Sequence, residues 1–249
     1  MKKISILILA LMMLAGCGKQ ELPVPETTVP ATAATVPETT VVETTVPETT
    51  QPETVATEPE TVPTVPPEPE SDEVFVRVLD YIPTATQELM YATENNFTGQ
   101  VIYDFEDTYL RWGTVKKLML VSQDLEELGL YIKIWDGFRP VSAQFVLWEV
   151  CPNPTYVANP TTGHSSHSRG NTIDLTLVDE NGQELEMPTG FDDFSPKADR
   201  NYADCTETAA NNAQILELIM EKHGFKGYSG EWWHFSDSTS YPVENIFEP

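Results

Sequence analysis

Residues 130–140 read LYIKIWDGFRP and contain the signals for three consecutive elements. The apolar residues at 130–135 alternate as in a half-buried β-strand. Residues 136–140 turn the chain, and Pro140 can occupy the first position of a helix that runs to about Val150. The stretch therefore predicts a strand, a turn and a helix in succession.

The neighbouring sequence extends this pattern on both sides. Residues 113–129 place apolar or small side chains on one helical face, with Gly129 as the stop; these are Val115, Leu118, Ser122, Leu125 and Leu128. Residues 170–178 and 231–235 read as strands, and residues 206–223 read as an amphipathic helix that Gly224 closes. Helices interleaved with few strands, without strict alternation, predict an α+β domain with a small antiparallel sheet flanked by helices.

The amino-terminal segment predicts export. Residues 1–16 carry two lysines followed by about a dozen apolar residues, which is the pattern of a signal peptide and is too short for a membrane-spanning helix, which needs ~20. Residues 14–17 (LAGC) resemble the bacterial lipobox, which implies cleavage before Cys17 and lipidation of its thiol. A plain secretory signal is the alternative. We expect a lipid-anchored protein on the outer face of a bacterial cell membrane.

Residues 17–72 predict a disordered tether between that anchor and the domain. From residue 20 onwards this segment holds eleven acidic side chains, no basic one and no aromatic one, and the sequence VPETT occurs at 24–28, 36–40 and 46–50. Such a composition cannot bury enough apolar surface to offset the entropy of the chain. The functional domain is therefore expected at 73–249.

Charge and cysteine content exclude several classes of protein. The 249-residue chain has 14 Lys and Arg against 39 Asp and Glu, a net charge of -25. Nucleic-acid binders neutralise phosphates with basic side chains, so we expect no nucleic-acid partner. The three cysteines are too few for a disulfide scaffold. With Cys17 lipidated, Cys151 and Cys205 either pair in a disulfide or remain separate thiols.

Two short stretches carry groups suited to a metal site. His167 and Asp174 lie seven residues apart, and His234 follows Glu231 by three. Two imidazoles and one carboxylate leave the fourth position of a tetrahedral zinc ion open, as catalytic zinc requires. Glu231 is then the base that takes a proton from the attacking water, or, if it binds the metal instead, the fourth ligand of a closed structural site.

The spacing of these residues imposes conditions on the fold. Residues three apart in a regular strand point to opposite faces, so Glu231 and His234 converge only if the strand is bulged or if Glu231 lies in the turn begun by Gly230. His167 has the same odd separation from Asp174 and is expected on a loop before that strand.

Other candidate residues have simpler interpretations. Asp136 reads as a turn residue, and Arg139 reads either as a cap for carbonyl groups or as a group that stabilises an oxyanion. We expect His223 to serve as a charge at a helix carboxyl end, His164 to have no special role, and the two tryptophans at 232 and 233 to lie in the core.

Three motifs together resemble those of one enzyme family. The patterns are SxHxxGxxxD at 165–174, ExxH at 231–234 and WDGFRP at 135–140, and residues 91–99 (YATENNFTG) are also similar. They resemble D-alanyl-D-alanine dipeptidases, the zinc enzymes related to the vancomycin-resistance dipeptidase, over nearly all of 73–249. The resemblance implies the small α+β zinc-peptidase fold shared with D,D-carboxypeptidases and the hedgehog signalling domain.

The resemblance also implies a role for each matching residue. It makes His167, Asp174 and His234 the ligands of one Zn²⁺ and Glu231 the general base. It implies that Arg139 polarises the scissile carbonyl and that Ser165 helps to bind the substrate carboxylate. It also implies that Asp192 pairs with the free amino group of the dipeptide. The match at Asp192 is the weaker one, because the preceding segment departs from the family pattern and Asp193 is adjacent.

Three functions are compatible with these residues. The first is hydrolysis of D-Ala-D-Ala in cell-wall peptide turnover. The second is a murein D,D-carboxypeptidase or endopeptidase that trims stem peptides, which export favours because the free dipeptide pool used for wall synthesis is cytosolic. The third is a non-catalytic zinc-binding surface module, which would need neither Glu231 nor Arg139.

Overall fold

The computed structural model describes residues 66–249, and this part of the chain contains seven strands and three α-helices. The strands are β1 (Phe75–Arg77), β2 (Thr86–Gln87), β3 (Tyr109–Arg111), β4 (Tyr131–Asp136), β5 (Thr172–Val178), β6 (Phe225–Tyr228) and β7 (Glu231–Asp237). The helices are α1 (Trp112–Glu126), α2 (Val141–Val150) and α3 (Glu207–Lys222). The predicted α+β class is confirmed.

A five-stranded sheet in the order β2-β4-β5-β7-β6 forms the centre of the described region. Its pairs are antiparallel except β2 with β4, which is parallel, and β1 and β3 form a separate antiparallel pair. Pairing along β4 and along the β6–β7 hairpin is interrupted by register shifts. The sheet is therefore mainly antiparallel, as predicted, with one parallel strand at its edge.

Helices α1 and α3 bury their apolar faces against this sheet. Leu118 and Leu125 of α1, Leu216 of α3 and Ile134 and Leu175 of the sheet have no exposed surface and belong to one core cluster. Burying a side chain of this size contributes ~1.5–3 kcal/mol to folding. Helix α2 packs in a second, smaller cluster, around Leu147.

The helix ends follow the local signals in the sequence. Thr206 precedes α3 and its Oγ1 accepts a hydrogen bond from the backbone N–H of Ala209 at 3.1 Å, a normal amino-terminal cap. Gly129 and Gly224 have φ angles of +71° and +88°, as helix stops require. Leu128 differs from the prediction: it is 57% exposed, because α1 ends at Glu126 and Leu128 no longer lies on the buried face of the helix.

Cys151 and Cys205 are both free and lie against different core clusters, so the alternative of separate thiols is the one observed. The predicted signal peptide, the lipidated Cys17 and the tether up to residue 65 lie outside the described residues. Residues 66–72 already contact the domain, since Asp72 accepts the Gly113 N–H at 3.1 Å. Between residues 66 and 249, none of the helices combines the length and the hydropathy needed to cross a bilayer.

We expect Gly170→Ala to destabilise the protein more than Gly182→Ala. Both glycines have positive φ angles, +72° and +76°, so both substitutions carry the backbone cost of a left-handed alanine, ~1 kcal/mol. A Cβ at 170 would in addition overlap the Phe75 ring, whereas a Cβ at 182 would meet no atom within 4 Å. Urea unfolding of the two variants measures the difference, and equal midpoints would contradict this account of Gly170.

Candidate metal centre and active site

Three neighbouring strands place three polar side chains in one row. Asp136, the last residue of β4, pairs with Asp174 of β5, and Asp174 pairs with His234 of β7. Residues paired directly across a sheet point to the same face, with Cβ atoms ~4.5–5.5 Å apart. The register therefore brings together groups that are up to 98 residues apart in sequence.

His167 reaches this row from outside the sheet. It lies in the 3-10 turn Ser166–Arg169, which precedes β5 and ends at Gly170 in the left-handed conformation. Its Nδ1 lies 2.8 Å from the Gly137 carbonyl oxygen, and since a carbonyl only accepts, Nδ1 carries the proton and Nε2 is free to bind a metal. The expected loop position of His167 is observed.

The three groups have the geometry of metal ligands. His167 Nε2 lies 3.3 Å from Asp174 Oδ2 and 3.3 Å from His234 Nδ1, and His234 Nδ1 lies 3.0 Å from Asp174 Oδ1. Tetrahedral zinc with bonds of ~2.0–2.1 Å separates its ligand atoms by about 3.3–3.4 Å. The residues present thus fit a tetrahedral ion, and the group could hold a metal.

Electrostatics at the cluster also favour a cation. Asp174 is 3% exposed, and within residues 66–249 its Oδ1 has no hydrogen-bond partner despite its closeness to His234. Burial opposes ionisation of this carboxyl, but the imidazoles of His167 and His234 outweigh burial and lower the pKa of Asp174. A buried, ionised and partly unpartnered carboxylate is a strong ligand for a metal ion.

Glu231 lies beside this cluster. Its Oε2 is 3.6 Å from His234 Nδ1, whereas the mutually close ligand atoms belong only to His167, Asp174 and His234. Burial raises the pKa of Glu231 to about 7, with His234 opposing the shift and Asp174 adding to it. The position and the raised pKa of Glu231 favour a role in proton exchange over a role as fourth metal ligand.

The bulge predicted for Glu231 and His234 is present in the β6–β7 hairpin. Gly227 pairs with Phe235, and the next pair joins Tyr228 to Glu231, so residues 232–234 of β7 have no partner on β6 between consecutive pairs. The irregularity turns Glu231 and His234 toward the same side.

Asp136 holds the guanidinium of Arg139 in place. Its Nη2 and Nε donate to Asp136 Oδ2 at 2.6 and 3.1 Å, and its Nη1 donates to Gln144 Oε1 at 3.0 Å. Burial would lower the pKa of Arg139, but Asp136, Tyr91, Tyr103 and Asp174 together outweigh burial and raise that pKa well above its ordinary value. A guanidinium has five N–H donors, so two remain for a ligand.

Asp136 is a buried hydrogen-bond acceptor next to the site. The prediction that it is a turn residue is wrong. Its side chain has no exposed surface, and its Oδ1 accepts hydrogen bonds from Tyr103 Oη and from the Gly137 N–H, each at 2.9 Å. Its Oδ2 lies 3.5 Å from His167 Nδ1. The stretch 136–140 suggested a turn, whereas the pairing of Asp136 with Asp174 extends β4 by one residue.

One cavity of about 230 Å³ joins the ligand cluster, Glu231 and Arg139. It is lined by the seven residues to which the family resemblance gives roles: Arg139, Ser165, His167, Asp174, Asp192, Glu231 and His234. Ser165 is 6% exposed, and its Oγ accepts the His167 N–H at 3.3 Å. The predicted residues are thus neighbours in space, while their roles remain predictions.

Tyr91 connects the cavity wall to Asp192 and was not singled out as a site residue. Its hydroxyl donates to Asp192 Oδ2 at 3.0 Å, and its ring lies 4.9 Å from the Arg139 guanidinium carbon. Burial raises the pKa of Asp192 well above its ordinary value, with the Tyr91 hydrogen bond opposing the shift. The position of Tyr91 at the start of the YATENNFTG motif was the available signal for this residue.

The domain is similar in sequence to known proteins. Residues 71–248 match the family described as D-Ala-D-Ala dipeptidase. The D-alanyl-D-alanine dipeptidase of Escherichia coli (strain K12) is 40% identical over 158 residues, which cover 63% of this chain and 81% of that protein. The enzyme of the same name from Enterococcus faecalis (strain ATCC 700802 / V583) is 33% identical over 165 residues, covering 58% of this chain and 82% of that protein.

Solved structures show weaker similarity. The complex of VanYB with D-alanine-D-alanine has a TM-score of 0.37 and 16% identity, covering 59% of this chain and 83% of that one. The vancomycin-resistance D,D-dipeptidase VanXYg with a D-Ala-D-Ala phosphinate analogue has a TM-score of 0.34 and 20% identity, covering 53% and 52% of the two chains.

We expect His234→Ala to lose the metal while His164→Ala keeps it. Removing one of three protein ligands leaves two, which is too few for tight zinc binding, whereas His164 is exposed and contributes no ligand atom to the cluster. Zinc content after dialysis, measured by atomic absorption alongside circular dichroism to verify folding, tests this. Full zinc occupancy in folded His234→Ala would remove that residue from the site.

Proposed function

Because this chain belongs to the D-Ala-D-Ala dipeptidase family, we propose that it hydrolyses the peptide bond of D-Ala-D-Ala in cell-wall peptide turnover, with Glu231 as general base. The enzyme class follows from the family, and the family prediction from the sequence motifs is confirmed. The observation that carries the proposal is the convergence of a three-ligand cluster, a partly buried carboxylate and a buried arginine on one cavity.

We propose zinc as the metal, held by His167, Asp174 and His234. Two imidazole nitrogens and one carboxylate oxygen form a donor set typical of catalytic zinc. When bound, zinc lowers the pKa of a water molecule toward ~7 and polarises a carbonyl oxygen. The Gly137 carbonyl fixes the tautomer and the ring orientation of His167, so this ligand is already aligned.

Glu231 is placed to carry the proton during hydrolysis. It takes a proton from the water that attacks the scissile carbonyl carbon and passes a proton to the nitrogen of the departing D-alanine, so that the carboxylate is regenerated. A pKa raised to about 7 by burial suits a group that must both accept and donate near neutral pH.

Arg139 is placed to stabilise the negative charge that develops on the carbonyl oxygen. The ion pair with Asp136 and the hydrogen bond to Gln144 hold the guanidinium in one orientation, and its two unused N–H groups remain available for the cavity. Donors that are already oriented lower the barrier without reorganising during the reaction.

Asp192 and Ser165 are placed to bind the two charged ends of a dipeptide. Asp192 with Tyr91 offers a negative group for the free ammonium, and an ammonium placed there favours the charged form of Asp192. Ser165 offers a hydroxyl to the substrate carboxylate. We further propose that the domain acts outside the cell on a lipid anchor at Cys17.

The murein D,D-carboxypeptidase remains the second candidate because the amino-terminal sequence predicts export. It differs from the first in needing no recognition of a free amino group. The non-catalytic module is disfavoured, because Glu231 and Arg139 both line the cavity with the ligands, where a pure binding site would need neither.

We expect Glu231→Gln to keep the metal and to lower kcat by ~10²–10⁴-fold. The amide has nearly the same shape as the carboxylate but cannot take a proton, and general bases typically contribute that much. Steady-state kinetics and zinc content of the same preparations test this. Loss of zinc with partial activity would instead make Glu231 a ligand.

We expect Asp192→Asn to lower kcat/KM for free D-Ala-D-Ala by about 30-fold and to leave an N-acylated peptide ending in D-Ala-D-Ala nearly unaffected. A hydrogen bond to a charged group contributes ~1.5–3 kcal/mol, and only the free dipeptide has an ammonium. Asp193→Asn is the matched control, because Asp193 Oδ1 accepts the Ser195 N–H and does not line the cavity.

The same two substrates distinguish the two candidate functions. The wild-type protein should hydrolyse the free dipeptide faster than the acylated peptide, and a chelator should abolish both activities. Faster hydrolysis of the acylated peptide would favour the carboxypeptidase, and activity that survives complete removal of the metal would contradict either one.

A further inference from the structure

The bulge in β7 exposes backbone groups that need partners. In a regular hairpin, the carbonyls of successive residues alternate between neighbouring strands, but residues 232–234 have no partner on β6 between the pairs Gly227–Phe235 and Tyr228–Glu231. A buried carbonyl without a partner costs ~1–3 kcal/mol, so the bulge needs donors from elsewhere.

Arg200 supplies these donors. Its Nη2 donates to the carbonyl oxygens of Trp232 and His234, each at 2.9 Å, and its Nε donates to that of Tyr228 at 2.8 Å. Its own backbone N–H donates to the carbonyl of Ser229 at 3.1 Å. One residue thus binds the hairpin at four carbonyls, on both sides of Glu231.

The surroundings of Arg200 are built to hold its guanidinium in place. The side chain is 9% exposed, its carbon Cζ lies 4.2 Å from the centre of the Phe235 ring, and its Nη1 lies 3.4 Å from Glu217 Oε1 on α3. The other Glu217 oxygen accepts the hydroxyl of Tyr202 at 2.7 Å. A stacked and ion-paired guanidinium has little freedom to leave the carbonyls.

Gly227 provides the space for this group. A Cβ at position 227 would overlap Cζ, Nε and Nη2 of Arg200, although the φ angle of this glycine does not itself require glycine. The close approach of the guanidinium to the β6 backbone therefore explains the glycine at this position.

We propose that Arg200 is a positioning residue for the proposed function: it holds the bulge that turns Glu231 and His234 toward one another at the metal centre. It does not line the cavity and therefore acts through the hairpin. Glu231 and His234 are three residues apart, and a regular strand would send their side chains to opposite faces of the sheet. The bulge brings Glu231 Oε2 within 3.6 Å of His234 Nδ1.

Metal affinity of the full-length protein tests this inference independently of catalysis. Arg200→Lys keeps the charge but offers a compact ammonium that cannot donate to three carbonyls from one plane. We expect zinc affinity, measured by competition with a chelating indicator, to fall by ~10–100-fold, as for other groups that orient ligands. We also expect kcat for D-Ala-D-Ala to fall by at least tenfold with little change in KM, because Asp192 and Ser165 lie outside the hairpin.

Gly227→Ala gives a second route to the same change by pushing Arg200 out of place. If both substitutions act on one contact, the double variant should lose no more zinc affinity than the worse single variant. Arg77→Lys is the matched control, since Arg77 pairs with Asp80 and Asp107 near the surface, and it should leave zinc affinity unchanged. Zinc affinity and kcat within twofold of wild type in folded Arg200→Lys and Gly227→Ala would overturn the inference.

The test of Arg200 can be distinguished from the test of the proposed function. If the wild-type protein binds zinc but fails to hydrolyse either peptide, the proposed function is wrong, and the zinc affinities of the two variants still decide the role of Arg200. If the wild type is active and the variants retain zinc affinity and kcat, only the inference about Arg200 is wrong.

Discussion

The pairing register of three adjacent strands is the constraint on which the site depends. Asp136, Asp174 and His234 fall in one row only because β4, β5 and β7 pair as they do. A slip of one residue in either pairing would turn a member of the row to the opposite face of the sheet. The core formed by the sheet with α1 and α3 opposes such a slip, because it would expose side chains such as Ile134 and Leu175, which are completely buried.

The carboxyl groups at the site lie close together, and their negative charge must be compensated by neighbouring groups. Three carboxyl groups line one cavity, those of Asp174, Asp192 and Glu231, and Arg139 is the cationic side chain that lines it among the described residues. A fourth carboxyl group, that of Asp136, accepts hydrogen bonds from Arg139. Tyr103 and Tyr91 donate hydrogen bonds to two of these carboxyl groups, and Arg139 pairs with Asp136. Asp174 has no such donor at Oδ1, so the remaining negative charge is concentrated where the two imidazoles meet. Asp136 and Asp192 thus have donors of their own, whereas Asp174 and the two imidazoles leave a place for a metal cation.

Much of the site was predictable from the sequence because its chemistry depends on residue types at short spacings. His167 with Asp174 and Glu231 with His234 form local pairs, and the odd spacing of each pair predicted a loop and a bulge that the structure contains. The long helices were predictable from their apolar faces. The short strands β1, β2, β3 and β6 were not predicted, since two to four residues carry too little periodicity to distinguish a strand from a loop.

The sequence by itself determined the α+β class and the family and predicted the candidate metal ligands, because apolar periodicity and ligand spacing are local properties of the chain. Only the tertiary structure decided that Asp136 is a buried partner of Arg139 and that Arg200 binds the carbonyls of the β7 bulge. Both roles arise from contacts that depend on strand register and on the packing of distant segments. Arg200 is separated from the hairpin by α3, and no pattern near residue 200 indicates which carbonyls its guanidinium will meet.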